Sequence, residues 1–424
     1  MSRALLLQIF AAGLAAVDGE ACVARAARGG KFGSGAFNLI AVGKSACAMS
    51  RGLMDTRGQE LKRGLLITRR GYADPMLARD PRIILRESGH PLPDKNSLAA
   101  GSELLAFAQA CETGVGLIVL ISGGASSLVE VPAAGVSLSE LQRANRWLLA
   151  SGLDIQAINA VRRRLSQIKG GGLARIFGSR RVIAGYISDV AGDDPADIGS
   201  GLLKRSAVAL PGDLPSWLQD LLLPVDGAGP ANAELEHIIL ASLEHALNGC
   251  EASAIAAGIP VCRHQTLLDG EPEAAAGHIV AALESGPAGV HLWGGETTPR
   301  LPEHVGRGGR NQHLALCCAM RIAGRSGLSI LCSATDGSDG NSSDAGGLVD
   351  SGTVARGGAS GLDPAESLAS ADAGRFLEAS GDLVSTGPTG TNVTDLVIGL
   401  KASNGYTVDG SGPGASGEHP FSDN

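Results

Sequence analysis

Short runs of aliphatic and β-branched residues recur along this chain of 424 residues, and nearly every run leads directly into glycine, serine or a charged residue. Longer segments with the apolar spacing of an α-helix separate these runs. Because strands that alternate with helices favour parallel sheets, the pattern predicts an α/β fold whose strands are mostly parallel. The predicted strands are Asn38–Val42, Leu65–Thr68, Leu117–Ile121, Val182–Ile187, Val290–Trp293, Leu328–Cys332 and Leu396–Leu400. The predicted helices are Ser97–Cys111, Ser137–Ala150, Asp154–Ile168, Leu235–Ala257 and Asn311–Ala323.

The composition excludes several classes of protein. Apolar residues make up 44% of the chain, which is too many for a disordered polymer and enough for an aliphatic core. The net charge of −8 argues against a partner that is a nucleic acid or an anionic membrane, because proteins that bind these need basic surfaces. The 61 glycines show no Gly-X-Y period, so the chain is not collagen-like and its glycines need a positional explanation.

The length of the chain predicts two domains. Leu202–Ala231 is rich in Pro, Gly and Leu and lacks a clear period, so we place the junction there, between a first domain at 1–215 and a second at 230–402. Residues 403–424 form a polar tail rich in glycine and serine.

Cysteine usage and hydropathy bear on the compartment. Eight cysteines without a CxxC pair indicate reduced, buried thiols and a cytoplasmic protein. The apolar segment Ala4–Val17 could be mistaken for a signal peptide, but its helical spacing and the acids that follow it favour an ordinary first helix. No uninterrupted apolar run reaches roughly 18 residues, so no membrane-spanning helix is predicted.

Glycine and polar residues are concentrated where the predicted strands end. In open α/β sheets, ligands bind beyond the carboxyl ends of the strands, so several such loops together predict a binding site. For any single loop the simpler interpretation is that glycine makes a tight turn. The loops are Gly43-Lys44-Ser45, Ser122-Gly123-Gly124, Ser188-Asp189, Gly294-Gly295-Glu296 and Thr335-Asp336-Gly337.

Two of these loops have the features of an anion site. Lys44 supplies a positive charge after a strand, but Asn38 stands where a P-loop needs its first glycine, so a P-loop is excluded. The loop that contains Ser122, Gly123, Gly124 and Ser126 offers backbone N–H groups and hydroxyls at a helix start, which is typical of phosphate or carboxylate binding. A tight turn is the alternative, and the GxSxG pattern of a nucleophile elbow is absent.

Other cations stand beside glycines. Lys169 precedes three glycines at the end of a predicted helix, where backbone can approach a ligand closely. Arg307 and Arg310 flank a glycine pair before another helix, and guanidinium groups suit carboxylates and phosphates. The three arginines Arg162–Arg164 can also simply decorate a helix face. The GxGxxG dinucleotide fingerprint is absent around Arg307, which weakens a nicotinamide-dependent interpretation.

Asp189 and Asp336 lie in acidic loops after strands. A carboxylate in such a loop can hold Mg²⁺ together with substrate phosphates, act as a general base, or only form a turn. The nine histidines show no HxxxH spacing or close pairing, so no zinc site is predicted.

A series of motifs in this order resembles the type II (MOFRL-type) glycerate kinases, from the first helix to about Leu400. The motifs are AVGKSACAM, ESGHPLPD, LISGGASSL, NAVRRRLSQIKGGGLA, SDVAGDDPADIGSG, GGETT, GRGGRNQ, ATDGSDG and TGPTGTNVTDL. The resemblance implies a Rossmann-like N-terminal domain with a mostly parallel sheet, a second α/β domain at the C-terminus, and an active site in the cleft between them. Two departures are the loss of one glycine in the loop before Leu128 and the replacement of Pro-Thr by Leu202-Leu203.

The resemblance also implies an activity. It is the ATP-dependent phosphorylation of D-glycerate on its 2-hydroxyl, which gives 2-phospho-D-glycerate and ADP, with Mg²⁺ as the metal. Since some relatives are labelled hydroxypyruvate reductases, an NAD(P)H-dependent reductase remains an alternative, as does a non-catalytic protein that binds a sugar acid or a nucleotide. A homodimer is among the assembly states that the sequence leaves open.

The resemblance assigns roles to particular residues. Lys44 and Arg310 are implied to line the catalytic cleft, and site roles are implied for Asp189, Asp336 and Glu296. We assign the 2-hydroxyl proton to Asp189 and the metal to Asp336 or Glu296. The predicted substrate and phosphate contacts are Ser122, Gly123, Gly124, Ser126, Lys169, Arg307 and Asn392.

Overall fold

The computed structural model describes residues 2–112, 114–206, 208–223 and 234–402. The predicted junction lies partly outside these residues, and the predicted tail at 403–424 lies wholly outside them. The strands are β1 (Phe37–Val42), β2 (Leu61–Arg69), β3 (Ile83–Ser88), β4 (Gly116–Ile121), β5 (Val182–Ile187), β6 (Leu235–Ala241), β7 (Val261–Arg263), β8 (Gly289–Gly295), β9 (Leu328–Ala334), β10 (Gly346–Asp350), β11 (Leu383–Val384) and β12 (Asp395–Lys401).

The α-helices number sixteen among the described residues. They are α1 (Ser2–Ala16), α2 (Gly19–Arg28), α3 (Ala46–Arg57), α4 (Pro75–Arg79), α5 (Lys95–Ala110), α6 (Ala125–Leu128), α7 (Leu138–Ala150), α8 (Ile155–Arg164), α9 (Gly172–Phe177), α10 (Ser216–Gln219), α11 (Leu243–Ala256), α12 (Pro272–Ser285), α13 (Arg310–Ile322), α14 (Thr353–Ala359), α15 (Pro364–Ala369) and α16 (Ala373–Ser380). The chain divides into two compact units, which we name after their sheets.

The parallel-sheet unit comprises the described residues of Asp18–Ser242 together with Gly390–Asn392. Its strands lie in the order β3-β2-β1-β4-β5-β6, and every neighbouring pair is parallel. All residues of β1 and β5 are buried, which explains why these strands are continuous apolar runs in the sequence. The strand order is that of a Rossmann fold, so the predicted Rossmann-like, mostly parallel sheet is confirmed.

The mixed-sheet unit comprises the described residues of Met1–Val17, Leu243–Thr389 and Val393–Asn424. Its strands lie in the order β11-β10-β9-β12-β8-β7, and four of the five neighbouring pairs are antiparallel. Leu396 of β12 lies against α1, whereas Val397 belongs to the core formed with α12 and α13. Because successive strand residues point to opposite faces, helices cover both faces of this sheet. The general expectation of mostly parallel strands is therefore wrong for this second sheet.

The first helix belongs to the mixed-sheet unit, and this differs from the predicted first domain at 1–215. Helices α1 and α11 pack so closely that a Cβ atom on Gly13 would lie 2.5 Å from Cys250 Sγ, and one on Gly249 would lie 2.7 Å from the Ala12 carbonyl. Two glycines at this contact therefore allow the helix backbones to approach each other. Sequence reasoning could not place α1, because its partner helix begins more than 200 residues later.

The structure also corrects two predicted helices. The segment that begins at Leu235 forms strand β6, and α11 starts only at Leu243. Most side chains of β6 are only partly buried because it is an edge strand of its sheet. Its sequence therefore lacks the continuous apolar run that is typical of a buried strand. The predicted helix Asp154–Ile168 ends at Arg164, because Ser166 pairs in an isolated bridge with Pro132.

No single helix in the described ranges is long and apolar enough to cross a membrane, although the bent pair Ser2–Ala16 and Gly19–Arg28 meets that test of length and composition when taken together.

Candidate active site

The loops after β1 and β4 meet at the point where the strand order of the parallel sheet reverses. Strands β2 and β3 lie on one side of β1, whereas β4 lies on the other. The Lys44 N–H donates to the Gly123 carbonyl (2.9 Å), and the Ser45 N–H donates to Ser122 Oγ (3.0 Å). In doubly wound sheets a ligand crevice opens at such a switch point. The structure thus brings Lys44 and the Ser122–Gly124 loop together, as the sequence predicts.

Asp189 and Asn392 form a pair directly beside Gly123. Asn392 Nδ2 donates to Asp189 Oδ2 (3.2 Å), although 203 residues separate them in the chain. A Cβ atom on Gly123 would lie 1.9 Å from Asn392 Nδ2 and 2.3 Å from Asp189 Oδ2. Only a residue without a side chain fits there, so this glycine allows the carboxylate and the amide to reach the β4 loop.

A pocket of about 220 Å³ opens on this loop. Its walls include residues from α7, α8 and the loops after β4 and β5; those with polar side chains are His90, Ser126, Ser127, Asn145, Asn159, Arg162, Asp189, Asp197 and Ser200. Pockets for drug-sized ligands usually measure about 300–1,000 Å³, so this one suits a smaller polar molecule.

Arg162 provides the positive charge of this pocket. Its Nε donates to Asn145 Oδ1 (3.0 Å), and burial lowers the pKa of its guanidinium below the usual value, against the opposing effect of Glu130. An arginine nevertheless stays protonated at physiological pH. Its neighbours Arg163 and Arg164 are used structurally, since Arg163 pairs with Asp197 and Arg164 donates to the Leu223 carbonyl. Only the first of the three arginines lines the pocket.

The Ser122–Ser126 loop, which is predicted to bind an anion, leads into a shorter helix than the sequence suggests. Helix α6 spans only Ala125–Leu128, so the helix dipole at its start is small. Gly124 adopts a φ of +83° there, and Ser126 Oγ lies 2.8 Å from Ser200 Oγ. Ser200 in turn donates to Asn159 Oδ1 (2.8 Å). The loop therefore presents hydroxyls that are organised by side chains rather than by a long helix.

Lys169 does not join this group of residues. Its ammonium forms a buried ion pair with Glu130, and Ser166 Oγ donates to the other carboxylate oxygen (2.5 Å). The lysine and glutamate are 4% and 1% exposed, so neither side chain has a face open to a phosphate. Burial lowers the pKa of Lys169, while the Glu130 carboxylate acts in the opposite direction. The prediction that Lys169 contacts phosphate is not supported by this placement, because its charge is already compensated inside the core.

A second polar cluster lies where β8 and β9 of the mixed sheet end and β12 begins. Asp395, the first residue of β12, pairs in register with Gly295 of β8 and Ala334 of β9. Because β12 runs opposite to both neighbours, its start meets their ends. Arg310 Nε and Nη2 donate to the two Asp395 oxygens (2.5 and 3.1 Å), and Nη2 also donates to Glu296 Oε1 (2.7 Å).

The guanidinium of Arg310 is thus held by two carboxylates. Burial acts to lower its pKa, but Asp395 and Glu296 outweigh burial and raise that pKa above the usual value. Arg310 is permanently charged and fixed in orientation. This pairing also bears on Glu296, one of the two predicted metal ligands, because one of its oxygens already accepts from Arg310.

Asp339 occupies the start of α13. Its carboxylate accepts from the backbone N–H groups of Asn311 (3.1 Å) and Gln312 (2.8 Å), and it is 2% exposed. The pKa of Asp339 is raised to about 7, mainly by burial and in part by the Asp395 carboxylate, while the two N–H groups and Arg310 act in the opposite direction. The anion-binding end of α13 is therefore taken by a side chain of the protein.

Asp336 and Arg307 complete the predicted residues of the mixed-sheet unit. Asp336 is 4% exposed, and its Oδ1 accepts from the N–H (3.0 Å) and the hydroxyl (3.3 Å) of Ser338. Arg307 donates to Asp344 and Glu378, both at 2.8 Å. Arg307 therefore ties the loop before α13 to neighbouring segments, and its predicted contact with phosphate stays a prediction.

Sequence reasoning missed three charged residues of these clusters, namely Arg162, Asp339 and Asp395. Arg162 lies in a run of three arginines, and no local signal separates it from its neighbours. Asp339 belongs to the same TDGSDG motif as Asp336, which directly follows a buried strand, and this position was a usable signal. Asp395 becomes a site residue only through the antiparallel direction of β12, which the sequence does not reveal.

Comparisons with known proteins agree with this architecture. The model described as "Domain of unknown function (DUF4147)" matches residues 5–208, and the model "MOFRL family" matches residues 289–395. The chain is similar to the crystal structure of glycerate kinase from Thermotoga maritima, with a TM-score of 0.80 and 30% sequence identity over 94% of this chain and 99% of that one.

Curated relatives cover most of the chain. A D-glycerate 2-kinase of Thermotoga maritima is 35% identical over 85% of this chain and 90% of its own length. A glycerate 2-kinase of Pyrococcus horikoshii is 33% identical over 87% and 88%, and a putative hydroxypyruvate reductase of Agrobacterium vitis is 36% identical over 84% and 97%. The chain belongs to the MOFRL-type, or type II, glycerate kinase family.

Proposed function

We propose that this protein is an ATP-dependent kinase that phosphorylates D-glycerate on its 2-hydroxyl. The observation that carries the proposal is the small pocket of the parallel-sheet unit, where the Arg162 guanidinium and the Asp189 carboxylate line one cavity beside the Lys44 loop. Glycerate carries one carboxylate and a neighbouring hydroxyl, so a cation and a base in one small pocket match both groups. Family membership and the names of the relatives support the same reaction.

Arg162 is the residue that would bind the glycerate carboxylate. Its planar guanidinium suits a carboxylate because two parallel N–H groups can donate to both oxygens. Asn145 holds Nε through its Oδ1, so the rest of the fork is oriented before substrate arrives. Leu149 and Ile155, which are exposed, line the same pocket.

Asp189 would take the proton of the 2-hydroxyl. A general base must lie within hydrogen-bond reach of that proton, and the loop after β5 places Asp189 on the pocket wall. Asn392 donates to one oxygen of this carboxylate and so orients the Asp189 side chain. Asn392 therefore acts as a positioning residue for Asp189.

Lys44 and Arg310 would stabilise negative charge on the transferring phosphoryl group. Phosphoryl transfer depends mostly on positioning and electrostatic stabilisation, so fixed cations account for much of the rate. Lys44 lies at the switch point of the parallel sheet, and Arg310 is held by Asp395 and Glu296 in the mixed sheet.

ATP is the phosphoryl donor, and Mg²⁺ would accompany it. Asp336 is the stronger candidate to hold this ion, because Ser338 orients its carboxylate and Mg²⁺ binds proteins through one or two carboxylates besides phosphate oxygens. Glu296 is the weaker candidate because Arg310 already holds it. When bound, Mg²⁺ would neutralise charge on the phosphates of ATP.

The proposed reaction is tested with purified protein, D-glycerate, Mg²⁺ and ATP in an assay that couples ADP release to absorbance. We expect ADP release that depends on glycerate, and a second coupling enzyme specific for 2-phosphoglycerate should detect the product. A product found only as 3-phosphoglycerate would refute the 2-hydroxyl assignment. Incubation with hydroxypyruvate and NAD(P)H tests the reductase alternative, which predicts oxidation of the cofactor without ATP.

A further inference from the structure

Strands β7 and β8 bring a cysteine and two histidines together. The parallel pairing places Cys262 in register with His291, and His264 follows two residues later on the same face of the sheet. Cys262 Sγ and one nitrogen of each imidazole lie within 4.8 Å of one another. The sequence shows only a Cys-x-His pair and a distant histidine, so the strand register creates this cluster.

The hydrogen bonds fix the tautomers of both rings. His291 Nε2 lies 3.0 Å from the Pro287 carbonyl, which can only accept, so His291 carries its proton on Nε2. His291 Nδ1 is then an acceptor, and His264 Nε2 donates to it at 3.1 Å. A metal-ligating histidine usually donates its other N–H to a carbonyl or carboxylate, and the Pro287 carbonyl supplies that support to His291.

Aromatic stacking holds the two rings in place. The His264 ring stacks on Trp293 with a centroid distance of 4.2 Å and an interplanar angle of 4°. His291 is 1% exposed and Trp293 is 4% exposed, whereas Cys262 and His264 are partly accessible. The cluster thus has a rigid, buried side and a side that an ion can reach.

The ligand set decides which ion fits. One thiolate and two imidazoles suit zinc-class transition ions, whereas Mg²⁺ prefers oxygen ligands. A tetrahedral ion with Zn–N bonds of about 2.0–2.1 Å separates its nitrogens by roughly 3.3 Å, close to the distance between His264 Nε2 and His291 Nδ1. Cys262 lies on the edge strand of the sheet, where its side chain can turn toward the ion.

We propose that Cys262, His264 and His291 bind one Zn²⁺ ion, with water as the fourth ligand. Binding releases one proton to solvent, from the Cys262 thiol. The imidazole of His264 stays neutral because its proton moves from Nε2 to Nδ1, so that Nε2 can bind the ion. The ion would fasten the three-residue strand β7 to β8 and so stabilise the mixed-sheet unit. The site contains no residue of the proposed reaction, so the two proposals stand or fall separately.

A second group of ligand types is a weaker candidate. Glu273, His313 and Cys317 also lie close together, but Cys317 is 1% exposed, so an ion can reach its thiol less easily than that of Cys262. Burial raises the pKa of the Cys317 thiol far above its usual value, which disfavours the thiolate that a metal needs. This group serves as the rival in the experiment.

The test is a Co²⁺ titration of the full chain after metal removal with a chelator. We expect one equivalent to give the thiolate-to-cobalt charge-transfer band and the visible absorption of a tetrahedral site, and Zn²⁺ should displace the Co²⁺. Cys262→Ser should abolish the charge-transfer band, and His264→Gln should weaken binding by at least about tenfold. His278→Ala removes an exposed histidine on α12 and should leave the titration unchanged.

Thermal unfolding provides a second readout. Zn²⁺ should raise the Tm of the wild type and of His278→Ala, and at the same Zn²⁺ concentration it should raise the Tm of His264→Gln by less. Because the two cluster variants are separate, a folding defect in one leaves the other to decide. Absence of stoichiometric Co²⁺ binding by the wild type would overturn the proposal. Loss of the band in Cys317→Ser together with its retention in Cys262→Ser would overturn it in favour of the rival group.

Discussion

In both units polar residues cluster at the ends of strands, but the charged side chains of the two clusters have different partners. In the parallel-sheet unit, Arg162 and Asp189 line a pocket, and each of them has a hydrogen bond with a neutral amide side chain. In the mixed-sheet unit, Arg310 is compensated by Asp395 and Glu296. The first arrangement places a cation and a carboxylate on the wall of one pocket, whereas the second fixes a cation between two carboxylates. Substitutions in the two clusters should therefore fail in different ways.

The largest effect is expected for Asp189→Asn in the parallel-sheet cluster. The amide cannot accept the hydroxyl proton, so kcat should fall by about two to four orders of magnitude with little change in KM for glycerate. Steady-state ADP release measures both constants. Asp220→Asn changes an exposed aspartate of the same unit and is the matched control. A kcat within threefold of the wild type would remove Asp189 from the role of base.

Arg310→Lys should have the next largest effect. It tests the contribution of the mixed-sheet cluster to kcat without changing the parallel-sheet cluster. Lysine keeps the charge but loses the fork that contacts both oxygens of Asp395, so kcat should fall by about one to two orders of magnitude. Arg325→Lys alters an exposed arginine–glutamate pair in the same unit and should retain activity. Full activity of Arg310→Lys would mean that the fixed geometry of this cation has no catalytic importance.

Arg162→Ala should mainly raise KM. If the guanidinium binds the glycerate carboxylate equally in the ground and transition states, KM should rise about 10- to 100-fold and kcat should change little. Arg146→Ala on the exposed face of α7 is the control. A loss confined to kcat would instead mean that Arg162 acts mainly by stabilising the transition state.

Asp339→Asn gives the smallest effect and concerns stability. A carboxyl whose pKa rises to about 7 on folding keeps its proton better in the folded state, so its contribution to stability is present at low pH. That contribution is lost as the pH rises from the unfolded value through about 7. The Tm of the wild type relative to Asp339→Asn should therefore fall between about pH 4 and about pH 7, by an amount set by about 1.4 kcal/mol per unit of pKa difference.

Asp269→Asn, an exposed position of the same unit, is the control for that measurement. A Tm difference between the wild type and Asp339→Asn that stays constant with pH would show that Asp339 is ionised throughout. It would also show that the N–H groups at the start of α13 outweigh the burial of the carboxylate.

The sequence predicted the parts of the molecule that depend on local pattern. Apolar runs such as Val182–Ile187 identified the buried strands, and glycine-rich strand ends identified the Lys44 and Asp189 loops. It could not predict contacts that arise from strand direction or from distant pairing. Asp395 contacts Arg310 only because β12 is antiparallel to its neighbours. Lys169 lies outside the predicted site because it forms a buried ion pair with Glu130, which is 39 residues earlier in the chain.

The most direct test of the proposed function compares glycerate-dependent ADP release by Lys44→Ala with that by Lys62→Ala. Lys44 follows β1 at the switch point of the parallel sheet, whereas Lys62 is an exposed lysine on β2. If the crevice at β1 and β4 is where the phosphoryl group is transferred, kcat of Lys44→Ala should fall by about two orders of magnitude or more, and Lys62→Ala should match the wild type. Equal activity of the two variants would contradict a catalytic role for this crevice.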